Sequence, residues 1–312
     1  MSQLPHFTFQ RYLAAKRTVD DRALNQHVWH ALHRALADGI PTPLTILEIG
    51  GGIGTMPQRL FTEDRLPDSV YHLVDERLDN IDYAAAYLIA AGASTLDAPA
   101  HLHPAPTASL QLTTPAGRRH QVHLYAADYA DFIATAPIIP SVNLLIAHAF
   151  LDLLDIQSAV PALARPMQPR TLFYFTINFD GVTLFQPDID FAFDTRVETL
   201  YHRTMDERVT NGKLSGDSRA GRRLFHLLNK TGIQVLDAGS SDWVVLPQAG
   251  HYPDDEAYFL HFIVHTVESA LAGHPELDAQ TFHRWIAQRH RQITDGTLFY
   301  IAHQLDYLGV KR

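Results

Sequence analysis

Gly50, Gly52 and Gly54 stand at alternate positions, with Gly51 between them, directly after the apolar run from Leu44 to Ile49. Glycine adopts backbone conformations closed to other residues and lets a ligand approach the chain, and the free N–H groups of a following helix add a seat for polar atoms. The stretch Leu47-Glu48-Ile49-Gly50-Gly51-Gly52-Ile53-Gly54-Thr55 therefore reads as a buried strand running into a ligand-binding turn. Its spacing is not that of a dinucleotide turn, G-x-G-x-x-G. Counting from Gly50 puts Thr55 in the last place, and counting from Gly52 puts Pro57 there. A Walker loop needs a lysine before its Ser or Thr, and none lies near this turn. Two later runs also end on carboxylates: Val70 to Asp75, and Val122 to Asp128 with Tyr129 following. An aspartate there serves either as a helix cap or as a pair of acceptor oxygens for hydroxyl donors.

With these residues in place, the chain resembles the class I S-adenosylmethionine-dependent methyltransferases, whose first motif is an acidic residue, one residue, then G-x-G-x-G at the end of the first strand. Glu48, Gly50, Gly52 and Gly54 match it. The resemblance implies S-adenosylmethionine as cofactor, held by Glu48, Gly50, Gly51, Gly52 and Gly54, with Asp75 on the two ribose hydroxyls. It further implies that Asp128 meets the adenine amino group and that Tyr129 borders the ring. It covers the core from Leu44 to Pro247, and its sites follow one another at successive strand ends, as ligand sites do in open α/β sheets.

Methyl transfer is an in-line displacement, so the protein's task is alignment and exclusion of water, with a base needed only where the acceptor carries a proton. The segment after the fourth strand, Ala147-His148-Ala149-Phe150-Leu151-Asp152, lacks the Asn/Asp-Pro-Pro-Tyr/Phe pattern that resembling families use on amino groups of adenine or glutamine. Cytosine-carbon methylation needs a cysteine nucleophile, and the chain has no cysteine. The aspartate-rich cluster of metal-dependent catechol-type enzymes is missing as well, and Asn143 takes the place of an acidic residue early in that strand. His148 is the expected base or orienting group, although a hydrogen-bonded structural histidine fits the position equally. Asn178, Tyr201 and His202 are candidates for the acceptor pocket. Arg17, just before the predicted N-terminal helix, is a candidate partner for the cofactor's carboxylate if that helix folds over the cofactor, with Arg11 and Lys16 as neighbours. His27, His30 and His33, and His261 with His265, share helical faces but have no third-ligand partner in the sequence, so no metal is expected.

These groups need a sheet to hold them. Apolar runs at Leu44 to Gly50, Val70 to Asp75, Val122 to Asp128, Val142 to Ala149 and Thr171 to Phe179 alternate with helical patterns, which predicts a parallel sheet in an α/β fold. The expected form is a Rossmann-like, seven-stranded methyltransferase sheet with one antiparallel strand. The expected organisation is a helical cap over 1–43, a core over 44–250 carrying a lid insertion at about 180–218, and packed helices over 251–312. The N-terminal pattern predicts one helix from Thr18 to Leu36, stopped by Gly39, Pro41 and Pro43. Gly92 to His120 predicts an excursion with a small hairpin. Ile233 to Gly239 and Trp243 to Pro247 predict two short strands completing the sheet. Helices are predicted near Asp254 to Ala272, Asp278 to Arg291 and Thr297 to Leu308, with Gly273 and Gly309 as caps.

Composition agrees with such a domain: 312 residues, 46% hydrophobic and 19% charged, with a formal net charge of −9. That charge disfavours nucleic acid as a partner, and no apolar run is long enough to span a bilayer. The absence of cysteine removes disulfides and thiolate metal sites. No leader pattern is apparent, so a cytoplasmic location is expected. The resulting expectation is metal-independent methyl transfer to a small organic molecule whose identity, like the oligomeric state, is open. The alternatives are a nicotinamide-dependent (NAD(P)) oxidoreductase and a protein that binds S-adenosylmethionine without catalysis.

Overall fold

A computed structural model describes residues 6–37, 41–210 and 212–312; Gly39, expected to stop the first helix, lies outside the described residues. Two helices come first, α1 (Phe9–Ala23) and α2 (Gln26–Ala37), where one was expected. Leu24 leaves the helical region with φ −47 and ψ 122. Asn25 then restarts the helix by accepting the Val28 N–H on its side chain at 3.1 Å. The core follows as β1 (Leu44–Ile49), α3 (Thr55–Thr62), β2 (Ser69–Asp75) and α4 (Leu78–Ala90). The expected excursion holds β3 (Ser94–Thr95) and β4 (Ala108–Thr113), which pair with each other, and β4 pairs in turn with β5 (Arg119–Ala126). Next come α5 (Tyr129–Thr135), β6 (Leu144–His148), α6 (Ile156–Ala164) and β7 (Leu172–Gln186). The region expected as an insertion holds α7 (Phe191–Asp206) and a small hairpin of β8 (Val209–Thr210) and β9 (Lys213–Leu214). The chain finishes with α8 (Ala220–Lys230), β10 (Ile233–Ser240), β11 (Trp243–Val245), α9 (Glu256–Leu271), α10 (Ala279–Thr294) and β12 (Phe299–Lys311).

The main sheet has the order β10-β12-β7-β6-β1-β2-β5-β4-β3, with β11 added beside β12. Strands β5, β2, β1, β6 and β7 run parallel, and β12 lies antiparallel between β7 and β10. The seven strands from β5 to β10 therefore form the expected mostly parallel sheet with one reversed strand. That reversed strand corrects the sequence reading: Thr297 to Leu308 is not a helix, and Gly309 is not a cap. Alternate residues of β12 are buried, but Gln304 and Asp306 occupy two of the buried places, so the period of two is not visible as a hydrophobic pattern. Gly309 is needed because a Cβ there would lie 2.6 Å from the Ile233 side chain on β10.

Apolar faces place helices on both sides of this sheet. Val28, Trp29 and Leu32 of α2 share one core with Leu60 of α3 and Ile81 and Leu88 of α4. Phe132 of α5, Val160 and Leu163 of α6, and Leu224 and Leu228 of α8 fill the other. A third core sits beyond the carboxyl ends of the parallel strands, where β7 and β12 run on past their neighbours and α1, α7, α9 and α10 pack around Phe185, Phe259, Val264, Trp285 and Tyr300. Strand order reverses between β1 and β6, so the crevice at their carboxyl ends is where this architecture receives ligands.

The third core is held by a buried ion pair. Arg289 of α10 is fully buried and donates to Asp194 of α7 at 2.8 Å and to the Pro187 carbonyl at 2.8 Å, while Trp285 Nε1 donates to the same carboxylate. Removing one member leaves a charge in the interior without its counter-ion. Asp194→Ala is expected to cost about 3–5 kcal/mol in urea unfolding. Asp255→Ala breaks only the exposed Arg11–Asp255 pair and is expected to cost about 1 kcal/mol or less. Equal losses would contradict this reading of the cap.

Candidate active site

The turn after β1 is built as its glycines suggest. Gly50, Gly52 and Gly54 have φ of 63°, 53° and 77°, a left-handed region that side chains disfavour. Gly54 is the N-cap of α3. Gly51 has a packing reason instead: a Cβ there would stand 2.4 Å from Leu73. A Cβ on Gly50 would meet the Phe150 ring at 2.2 Å, so the segment after β6 closes directly over the turn.

Asp75, at the end of β2, is half-buried and braces this turn. Its Oδ2 accepts the Gly52 N–H at 2.9 Å, and its Oδ1 accepts the Arg77 N–H and Asn80 Nδ2, each at 3.0 Å. A carboxylate offers about four acceptor sites, so Oδ2 retains capacity for a hydroxyl at the rim. Asp128 caps α5, its Oδ1 accepting Ala130 and Asp131 N–H groups, and Oδ2 has no protein partner among the described residues. Tyr129 follows, half-buried, with its ring edge-on to Phe150 at 5.6 Å. Glu48 lies below the turn rather than at the rim. It is buried, accepts the Tyr71 hydroxyl at 2.8 Å, and burial pushes its carboxyl up to about 8.

Helix α1 crosses this edge. Arg17 donates to the Tyr87 hydroxyl at 2.8 Å and to Gln58 at 3.1 Å, and makes no ion pair among the described residues. With Thr18, Ile53, Thr55, Tyr87 and Asp255 it lines a cavity of about 260 Å³. One turn further on, Asp20 is 2% exposed and gathers four elements around a single carboxylate. Lys16 of α1 pairs with it at 2.8 Å, His148 of β6 lies at 3.2 Å, Arg59 of α3 at 3.8 Å, and Trp243 Nε1 of β11 donates at 2.8 Å. Burial alone would raise Asp20, but Lys16, the His148 hydrogen bond and Arg59 hold its carboxyl below the usual range.

His148 is therefore placed differently from the base that the sequence suggested. Burial pushes its imidazole down to about 4, so the ring is neutral. Its Nε2 lies 3.2 Å from both Asp20 Oδ2 and Arg59 Nη1, and its Nδ1 lies 2.8 Å from the Thr176 hydroxyl. Both nitrogens are committed inside the protein, and the ring anchors α1 to β6. Two strained residues mark the same edge: Ala149 and Ile177 have φ of 50° and 56°. Ile177 is β-branched, and its N–H is held by Asp306 at 2.7 Å.

The acceptor candidates separate. Asn178 is buried in the sheet, with Nδ2 donating to the Leu305 carbonyl at 2.8 Å, and its Oδ1 lacks a partner among the described residues. His202 bonds Thr183 at 3.0 Å beside the Phe179 ring, and burial pushes it down to about 4. Tyr201 lies in the third core, within electrostatic reach of Tyr12, Asp152 and Tyr300. Tyr12, Asp152 and Tyr300 come from α1, the turn after β6 and β12, and no motif announced them. The stacking of Tyr12 on Phe262 at 4.1 Å had no local signal, because the two rings lie far apart in sequence. His261 pairs with His290 through their Nδ1 atoms at 2.8 Å. Among the described residues no group of three or more His, Cys, Asp or Glu is arranged to hold a metal.

No family model and no curated protein sequence matches the chain. Among solved structures, a candidate methyltransferase from Bacillus halodurans aligns at 9% identity over 92% of this chain and 99% of that one, with a TM-score of 0.49. YjhP from Escherichia coli aligns at 11% identity over 96% and 99%, TM-score 0.46. Magnesium protoporphyrin IX methyltransferase from Synechocystis, solved with bound S-adenosylhomocysteine, aligns at 12% identity over 76% and 82%, TM-score 0.43. These overlaps are weak, and the fold is read from the sheet itself.

Asp20→Ala would leave Lys16 buried without its counter-ion and Trp243 Nε1 without its acceptor. It is expected to lower stability by about 3–5 kcal/mol and to open α1 to trypsin at Lys16 and Arg17 at least tenfold faster, measured by limited proteolysis. Unchanged cleavage would contradict the anchoring role. With the strand order, the single reversed strand and the glycine turn at the switch point all in place, the chain has the fold of the class I S-adenosylmethionine-dependent methyltransferases.

Proposed function

We propose that the protein binds S-adenosylmethionine across the carboxyl ends of β1 and β2 and transfers its methyl group to a small organic molecule enclosed beneath α1. One observation carries this reading. Asp75 is bonded to the backbone of the left-handed Gly52, so a turn open to a ligand and a carboxylate with spare acceptor capacity are fixed together at the point where strand order reverses.

The residues present fit that cofactor. Gly50 and Gly52 hold the half-buried part of the turn in its left-handed shape, and Gly51 and Gly54 let it settle on Leu73 and Ala84. Asp75 Oδ2, which accepts only the Gly52 N–H among the described residues, takes a ribose hydroxyl, while Asp128 and Tyr129 stand at the neighbouring strand end where a base would lie. Arg17, with neutral partners only, supplies a charge for a carboxylate through the cavity under α1. Glu48 supports the turn from below through Tyr71. The bound sulfonium supplies an electrophilic methyl group, and the chain's own part is to orient an acceptor and keep water away. Helix α1 does the second task, because the Asp20 anchor closes it over the crevice.

Calorimetric titration tests this directly. S-adenosylmethionine and S-adenosylhomocysteine are expected to bind, Asp75→Ala is expected to weaken both at least tenfold, and Gly52→Val is expected to abolish binding because it forces a β-branched residue to a φ of 53°. Binding of a nicotinamide cofactor in place of either sulfur ligand would overturn the reading in favour of an oxidoreductase.

A further inference from the structure

The turn after β6 carries a carboxylate with no ion-pair partner among the described residues. Asp152 is half-buried, its Oδ1 is wholly buried without a hydrogen-bond partner, and it makes no ion pair among the described residues. Its backbone is fixed, since its carbonyl accepts the Asp217 N–H at 3.0 Å. The cations within its field are Lys16 and Arg208. Lys16 is already paired with Asp20 at 2.8 Å, and Arg208 is an exposed side chain beyond α7. Arg59 is held by Asp21 at 2.5 Å. Under α1, Lys16 and Arg59 thus answer Asp20 and Asp21, and among the described residues no cation stands within ion-pair distance of Asp152, Arg208 acting on it only from further off.

Its surroundings are aromatic. Tyr12 of α1, whose field includes Asp152, Tyr201 and Tyr300, is stacked on Phe262 at 4.1 Å and on Phe259 at 5.8 Å. Trp243 meets Phe259 edge-on at 5.3 Å. The hydroxyls of Tyr12, Tyr201 and Tyr300 have no protein hydrogen-bond partner among the described residues; Tyr71, Tyr258 and Tyr307 are bonded, and Tyr174, in a different core, is not. Unbonded phenol oxygens, an aromatic lining and one carboxylate without an ion-pair partner suit a positively charged organic group. A carboxylate or phosphate would meet like charge there.

We infer that the methyl acceptor is an organic amine, seated as its ammonium between Asp152 and the rings of Tyr12, Tyr201 and Tyr300. This rests on the methyltransferase reading and gives its acceptor a chemical class. Burial pushes Asp152 up to about 6, which suits it to accept a proton near neutrality. The ammonium gives one N–H proton to the Asp152 carboxylate, freeing the nitrogen lone pair. The lone pair forms the new N–C bond as the S–C bond breaks, and that bond's electron pair stays on sulfur. The products are the methylated ammonium and S-adenosylhomocysteine, and the proton on Asp152 passes to solvent.

A permanent cation separates binding from chemistry. The full chain is titrated with 2-hydroxyethyltrimethylammonium and with its neutral carbon isostere 3,3-dimethyl-1-butanol, followed by ligand-observed NMR, and with S-adenosylmethionine in a separate cell. The cation is expected to bind at least tenfold more tightly than the isostere. Asp152→Asn is expected to remove that preference, and Tyr201→Phe to reduce it about threefold, with S-adenosylmethionine affinity unchanged in both. Equal binding of cation and isostere by the native chain, or binding of neither at millimolar concentration, would overturn the inference whether or not Asp152→Asn folds. A preference retained in folded Asp152→Asn would overturn it too. Failure of S-adenosylmethionine to bind would sink the methyltransferase reading and leave the cation result to be read on its own.

Discussion

A carboxylate buried under a helix is the constraint on which the rest of this protein depends. Asp20 is removed from water and is tolerable only because Lys16, His148, Arg59 and Trp243 surround it. Those partners come from α1 itself, β6, α3 and β11, so one charge fixes the N-terminal helix over the crevice between β1 and β6. Arg22 and Thr18 extend the clamp by sharing the fully buried Glu256 at the start of α9. The helix proposed to exclude water from the candidate site is therefore held by buried polar contacts.

The sheet supplies the other half of the design. Parallel strands end together, and the glycine turn, Asp75 and Asp128 lie on that shared edge. Strands β7 and β12 run past it and carry the third core, so the space in front of the edge is roofed by α1 and walled by α7 and α9. The left-handed Ile177 sits where β7 leaves the regular sheet, and Asp306, pushed up to about 6 by burial, accepts both its N–H and that of Asn25. The bend that aims β7 into the cap and the restart of the chain between α1 and α2 are thus tied to a single side chain.

Much of the sheet was legible in the sequence because its strands are buried on both faces and read as continuous apolar runs bounded by glycine and proline. The glycine turn was legible because its residues are local and their spacing excludes other turns. What could not be read was carried by buried polar residues. Helix α1 presents Lys16 and Asp20 to the interior, so its amphipathic stripe is weak and its start was missed. Strand β12 buries Gln304 and Asp306, which hid its alternation and left a helical reading. His148 was singled out for its place after the fourth strand, but its partners Asp20 and Thr176 are distant in sequence, and only the fold shows that they occupy both nitrogens. Tyr12, Asp152 and Tyr300 meet for the same reason: their proximity is made by topology.

The central claim is that one crevice, floored by the glycine turn and roofed by α1, takes S-adenosylmethionine. Hydrogen–deuterium exchange of the full chain, with and without S-adenosylhomocysteine, tests it most directly, because it reports where a ligand acts as well as whether it binds. The account predicts slowed exchange confined to the amides of Gly50 to Met56, Asp75 to Asn80, Tyr129 and α1. Protection at a different edge of the sheet, or none at saturating ligand, would contradict it.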